Sequence, residues 1–264
     1  MRTVRAGLAV GIQLALMSPA RADTSTVVDL ATRPGVTQRM IFVEPDGKPR
    51  AAAVLIAGGH GALKIFPNGS IGWGDQNFLV RNRGLFAQRG IAVAIIDAPS
   101  DRRSGLAGLR DSDEHIADIE ATIKWLRERT GVPVWLVGHS RGTESAAAAT
   151  LRLGPGPTGP DGLVLASPIS SESAFTKGHA VPHFNLEKLQ LPVLVLAHHE
   201  DGCSVTAPKD LPLVVDRLTG TSRKNVVELT GGKPSGDLCA HQGTHGFGGL
   251  DSPAVQAISD FVLQ

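Results

Sequence analysis

From Ala51 onward, short apolar or β-branched runs alternate with longer stretches of helical period. That alternation restricts the chain to a mostly parallel sheet covered by helices, because neighbouring parallel strands can be joined only by long crossovers. Strands are predicted over Gln38–Glu44, Ala52–Ile56, Ala92–Ile96, Val134–Val137, Gly162–Ala166, Val193–Ala197 and Asn225–Leu229. Helices are predicted over Asp75–Gln88, Ser112–Arg129, Thr143–Leu153, Pro208–Leu218 and Pro253–Leu263. In the second of these, Ser112 with Asp113 supplies an N-cap, Ile116, Ile119, Ile123 and Leu126 form one apolar face, and Gly131 stops the helix. The chain has 264 residues, a length that suits one α/β domain. The Gly/Pro-rich stretch Leu153–Pro160 reads as a loop within the pattern, not as a linker between domains.

The N-terminus reads as a secretory signal. Arg2 and Arg5 precede an apolar run from Ala6 to Met17, then Ser18-Pro19 and the small-x-small site Ala20-Arg21-Ala22, so the mature chain is expected to begin at Asp23. A run of about twelve apolar residues is too short to span a hydrocarbon core, which needs roughly twenty, so no membrane insertion is expected of the mature chain. Cleavage would remove three of the 26 basic residues and none of the 25 acidic ones, turning the formal net charge from +1 to −2. That leaves no basic patch for nucleic acid. In an oxidising compartment the two cysteines, Cys203 and Cys239, are expected to pair as a disulfide. Closing that loop would remove roughly 4 kcal/mol of unfolded-state entropy in the chain model.

The chemistry is carried by Gly138-His139-Ser140-Arg141-Gly142, which follows the strand Val134–Val137 and precedes an Ala-rich helix. The bare G-x-S-x-G pattern arises easily by chance in a chain with 31 glycines; the strand–turn–helix setting is what gives it meaning. A strand reversing sharply into a helix leaves no room for side chains at Gly138 and Gly142. It holds Ser140 at the tip, at a helix N-terminus where developing negative charge is favoured. A nucleophilic serine needs a base, and the base an orienting acid. Glu200 and Asp201 follow the strand Val193–Ala197, and a glycine-rich loop with His241 and His245 precedes the last helix, so the chain order is Ser, acid, His.

With Gly138–Gly142, the acid loop at Asp201 and His245 before the terminal helix, residues 38–264 resemble an α/β-hydrolase of the secreted serine esterase or acyl hydrolase type. The resemblance implies an α/β fold with a mostly parallel, doubly wound sheet, helices on both faces and a minimal cap. It assigns Ser140 as nucleophile, Asp201 over Glu200 as acid, and His245 over His241 as base. In that family a glycine-rich turn after an early strand supplies an oxyanion donor. Here Ala57-Gly58-Gly59-His60-Gly61 departs from the usual form in having Ala57 at the family's His position and His60 inside the glycine run, which leaves open which amide donates; Gly59 or His60 is favoured, with the Arg141 amide as the second. The cysteine bridge would then staple the acid loop to the base loop.

The remaining histidines allow a zinc site in principle, from His198, His199, Glu200 and Asp201 with His241 and His245. A glycine-rich loop does not aim two rings at one point as a helix face does, so those histidines are expected to pack or hydrogen-bond around the site, with no metal or organic cofactor. His139 is expected to be a spacer, and His60 to line the pocket. The usual cap insertion, Ser167–Leu191 here, is too short for a large lid, and the chain has no Tyr, three Trp and eight Phe, few for a sugar-stacking platform. The expected substrate is a small or medium ester, with a peptidase or amidase of the same fold, or a non-catalytic binding module, as alternatives. The number of subunits is left open.

Overall fold

The structure, a computed structural model, describes residues 24–173 and 179–264. The expected signal peptide, 1–22, lies outside the described residues. Among the described residues eight strands form one sheet: β1 (Thr24–Arg33), β2 (Val36–Glu44), β3 (Ala51–Ile56), β4 (Ile91–Ile96), β5 (Val134–His139), β6 (Gly162–Ala166), β7 (Val193–His198) and β8 (Lys224–Leu229), in the order β1-β2-β4-β3-β5-β6-β7-β8. From β4 to β8 every neighbouring pair is parallel, while β1 and β2 are antiparallel at one edge. β3 through β7 are buried along their whole length, which is why they read as continuous apolar runs rather than alternating ones. β1 was not anticipated. Its largely polar sequence TSTVVDLATR suits an edge strand, and Gly35, in the left-handed region at φ 72°, turns it back onto β2.

Helices cover both faces. On one, Ala52, Val54 and Ile56 of β3 share a core with α3 (Asp113–Thr130) and α4 (Gly142–Leu153). On the other, Ala53 and Leu55 pack with α1 (Phe78–Arg81), α2 (Arg83–Gln88) and α6 (Asp251–Val262). The period-2 alternation of each strand thus feeds two cores at once. Ser112 caps α3 by accepting from the His115 N–H at 3.3 Å, and Gly131 ends it in the left-handed conformation. Two predicted helices are corrected. The helix expected over Asp75–Gln88 is two short ones, because the Asn82 amide donates to the Phe78 carbonyl at 2.9 Å and interrupts the backbone ladder. The helix expected over Pro208–Leu218 is a 3₁₀ turn, Pro208–Asp210, followed by the single turn α5 (Pro212–Val215), because Pro212 has no N–H to continue the run. Between β6 and β7 the described residues form only two 3₁₀ turns, Val181–His183 and Leu186–Lys188. Among the described residues no helix is long and apolar enough to cross a membrane.

Burial of α3 has a consequence for pH. His115 is 2 % exposed, with Nε2 at 3.0 Å from Ser145 Oγ, and burial, reinforced by the Arg110 and Arg33 charges, pushes it down to about 3. The unfolded chain therefore binds a proton near pH 6.5 that the folded chain refuses, so stability is lost as pH falls below that value. From pH 7 to 5 this group alone is expected to cost roughly 2 kcal/mol. Urea unfolding of wild type and His115→Gln at both pH values checks it: the variant should lose clearly less, and equal losses would refute the assignment.

Candidate active site

β5 runs directly into α4 through Ser140, which sits at φ 55°, a left-handed conformation rare for a residue with a side chain. Three glycines make this possible. A Cβ on Gly138 would come within 2.5 Å of the Gly142 carbonyl oxygen, one on Gly142 would run into the Ile56 carbonyl, and one on Gly58 would lie 2.7 Å from Ser140 Cβ. The last contact was not foreseen: the loop after β3 presses its backbone directly against the serine. The Ser140 N–H donates to the Ala166 carbonyl at 3.0 Å, tying the turn to β6.

The loops of Asp201 and His245 meet. His245 Nδ1 lies 3.0 Å from Asp201 Oδ2, and both residues are 4 % exposed. Asp201 is itself held: Oδ1 accepts the Cys203 N–H at 2.9 Å and Oδ2 accepts the Thr206 hydroxyl at 2.9 Å. The neighbouring candidates fall elsewhere. Glu200 is exposed, and His241 stands edge-on to Trp73 with 5.6 Å between ring centroids. Ser140, His245, His241, Gly59, Trp73 and Arg141 all line one cavity of about 570 Å³. A Cβ on Gly59 would strike Trp73, so the loop can lie along that indole only as glycine. His60, the other candidate donor, does not line the cavity: its ring stacks on Trp73 at 3.7 Å between centroids, and its Nδ1 accepts the Ala62 N–H. Among the described residues no group of three or more His, Cys, Asp or Glu converges as metal ligands would. His198 bonds Gly231 and His199 faces Glu228 instead.

His139 does more than space the turn. It is 1 % exposed, its Nε2 meets the His245 carbonyl at 3.0 Å, and its Nδ1 meets the Asn77 amide at 3.3 Å. An imidazole that donates from Nε2 and accepts at Nδ1 is neutral, and burial holds His139 well below the usual histidine range. Ser167 donates to the same His245 carbonyl at 3.0 Å, and Arg81 of α1 clamps the base loop through the carbonyls of His241 at 3.0 Å and Gly246 at 2.6 Å. Thr206, Arg81, Asn77 and Ser167 carried no sequence signal, since each meets its partner only after the chain has folded back on itself.

Cys203 and Cys239 form a disulfide across 36 residues, with Cα atoms 4.7 Å apart, joining the loop of Asp201 to the loop of His245. Both cysteines line the cavity. Reduction is expected to remove up to about 4 kcal/mol of stability and to lower activity in the same titration, since the bridge shares the Cys203 backbone that holds Asp201. Thermal unfolding and turnover with and without reductant test this; unchanged values, or two free thiols by mass spectrometry in protein produced under oxidising conditions, would exclude the role.

No family model matches the sequence, and no curated protein matches it. Solved structures do. The chain resembles XC6422 of Xanthomonas campestris, described as an α/β serine hydrolase without a lid, at TM-score 0.59 and 16 % identity over 91 % of this chain and 98 % of that one. It resembles an esterase of Pyrobaculum calidifontis at TM-score 0.63 and 16 % identity, over 91 % and 86 % of the two chains. A dienelactone hydrolase of Anabaena variabilis is similar at TM-score 0.59 and 15 % identity, over 91 % and 97 %.

Proposed function

The chain has the α/β-hydrolase fold, and from that premise we propose that it is an exported serine hydrolase that cleaves carboxylic esters through an acyl-serine intermediate. The observation that carries this reading is the buried Asp201–His245 pair at 3.0 Å, whose His245 lines the same cavity as Ser140, a serine held in a left-handed turn. In the proposed reaction His245 accepts the Ser140 proton through Nε2, since Nδ1 is engaged by Asp201. The alkoxide attacks the ester carbonyl, and the oxyanion is held by the Arg141 amide at the start of α4 and an amide of the Gly59–His60 turn. Asp201 stabilises the imidazolium, which protonates the departing alcohol; water then enters by the same base and frees the acid. The names of the similar structures, a serine hydrolase and an esterase among them, support this chemistry. The cavity volume of about 570 Å³ and the short segment between β6 and β7 favour small or medium esters. The signal-like N-terminus and the disulfide support export.

A fluorophosphonate probe with peptide mapping, alongside matched ester and amide substrates, tests the proposal. Labelling at Ser140 with faster ester turnover is expected. Faster amide turnover would make the protein a peptidase or amidase, and no labelling above a Ser140→Ala control would leave a binding module.

A further inference from the structure

Behind the Gly59 turn lies a cation that the reaction above does not use. Arg110, in the segment between β4 and α3, is 1 % exposed, and its Nη2 lies 3.2 Å from the Ala57 carbonyl, 3.5 Å from that of Gly58 and 3.1 Å from that of Gly59. Its Nη1 donates to Ser145 of α4 at 3.1 Å. The next carbonyl of the turn, His60, accepts the Leu106 N–H at 2.8 Å, so four successive carbonyls are held from one segment. The turn wraps the guanidinium closely: a Cβ on Gly61 would lie 3.0 Å from Nη2.

No peptide bond described here is cis, so each N–H points away from the carbonyl of its own peptide plane. Carbonyls of Ala57, Gly58 and Gly59 drawn toward Arg110 therefore aim the N–H groups of Gly58, Gly59 and His60 away from it. The same turn borders the serine: a Cβ on Gly58 would lie 3.2 Å from Ser140 Oγ. Burying a guanidinium costs heavily unless it is paired and bonded. The nearest carboxylate, Glu144, is 4.0 Å from Nε, while the close bonds go to the turn and to Ser145. Burial lowers the group to about 9, which leaves it a cation at neutral pH.

Resting on the serine-hydrolase reading above, we propose that Arg110 is a positioning residue for the oxyanion site, fixing and polarising the peptide planes of residues 57–60 so that their amides face the charge that develops on the substrate oxygen. It touches no substrate. Its effect falls on the transition state, because the field of the guanidinium and the fixed amides matter most when the carbonyl oxygen becomes an anion.

The experiment compares wild type, Arg110→Met and Arg110→Lys. Arg110→Met is expected to lower kcat by about 10²- to 10³-fold, the range for loss of one oxyanion donor, with KM changed less than threefold. Arg110→Lys keeps the charge opposite Glu144 but not the fork, and should fall between, about tenfold down; it also serves if the Met variant does not fold. A trifluoromethyl ketone, which becomes an oxyanion on Ser140, should lose affinity in step with kcat/KM, whereas the matched alcohol, which does not, should bind as before. Unchanged kcat in folded variants, or equal weakening of ketone and alcohol, would overturn the proposal. If wild type itself neither hydrolyses esters nor takes the fluorophosphonate, the serine-hydrolase reading fails; if wild type does both and the Arg110 variants match it, only this inference fails.

Discussion

Ser140→Ala is expected to lower ester kcat by about 10⁶-fold, down to the residual rate that an oxyanion site and substrate binding sustain without a nucleophile. The substitution removes one oxygen from a residue that is 9 % exposed and keeps the Cβ against Gly58, so the left-handed turn and its packing against the loop after β3 survive. KM and the unfolding temperature should stay close to wild type. Pre-steady-state kinetics sharpen the test, because wild type should give a burst of alcohol release as the acyl-serine forms and the variant none. Retained turnover in the variant would move the nucleophile elsewhere and remove the basis of the proposed mechanism.

His245→Ala is the second large effect, expected at several hundredfold at the least and as much as about 10⁶-fold in kcat. Without the imidazole, Asp201 keeps the Cys203 N–H and the Thr206 hydroxyl, so its carboxylate is not stranded and the fold should hold. His241→Ala supplies the contrast. Its ring also lines the cavity but meets Trp73 rather than Asp201, and burial, with the nearby Arg81 and His245 charges, lowers it from the usual histidine range. A change under tenfold is expected there, read from kcat/KM across pH 5 to 9. A large loss at His241 with a small one at His245 would exchange the two roles.

The elements that sequence reasoning read well are those whose signal is local. β3 to β7 announce themselves as buried runs, and α3 carries its own cap, its apolar spacing and its stop glycine within about twenty residues. Reading failed where a local preference lost to a distant partner. Asn82 breaks the expected first helix and also donates to Asp251, which lies 169 residues away along the chain. β1 owes its strand form to β2 and to the sheet edge, not to an apolar pattern of its own.

The same division runs through the site. The glycines around Ser140, the order of serine, acid and histidine, and an even pair of cysteines are properties of the string, because sterics of one turn and the sequence of strand ends set them. Whether Glu200 or Asp201 faces His245 depends on which way the chain leaves β7, and adjacent residues there point in different directions. Arg110 under the Gly59 turn and His139 beneath the His245 carbonyl are likewise decided by tertiary packing. Hydrogen-bond partners at about 3 Å are selected by how separate elements dock on the sheet, and a spacing along the chain carries no information about a distance across it.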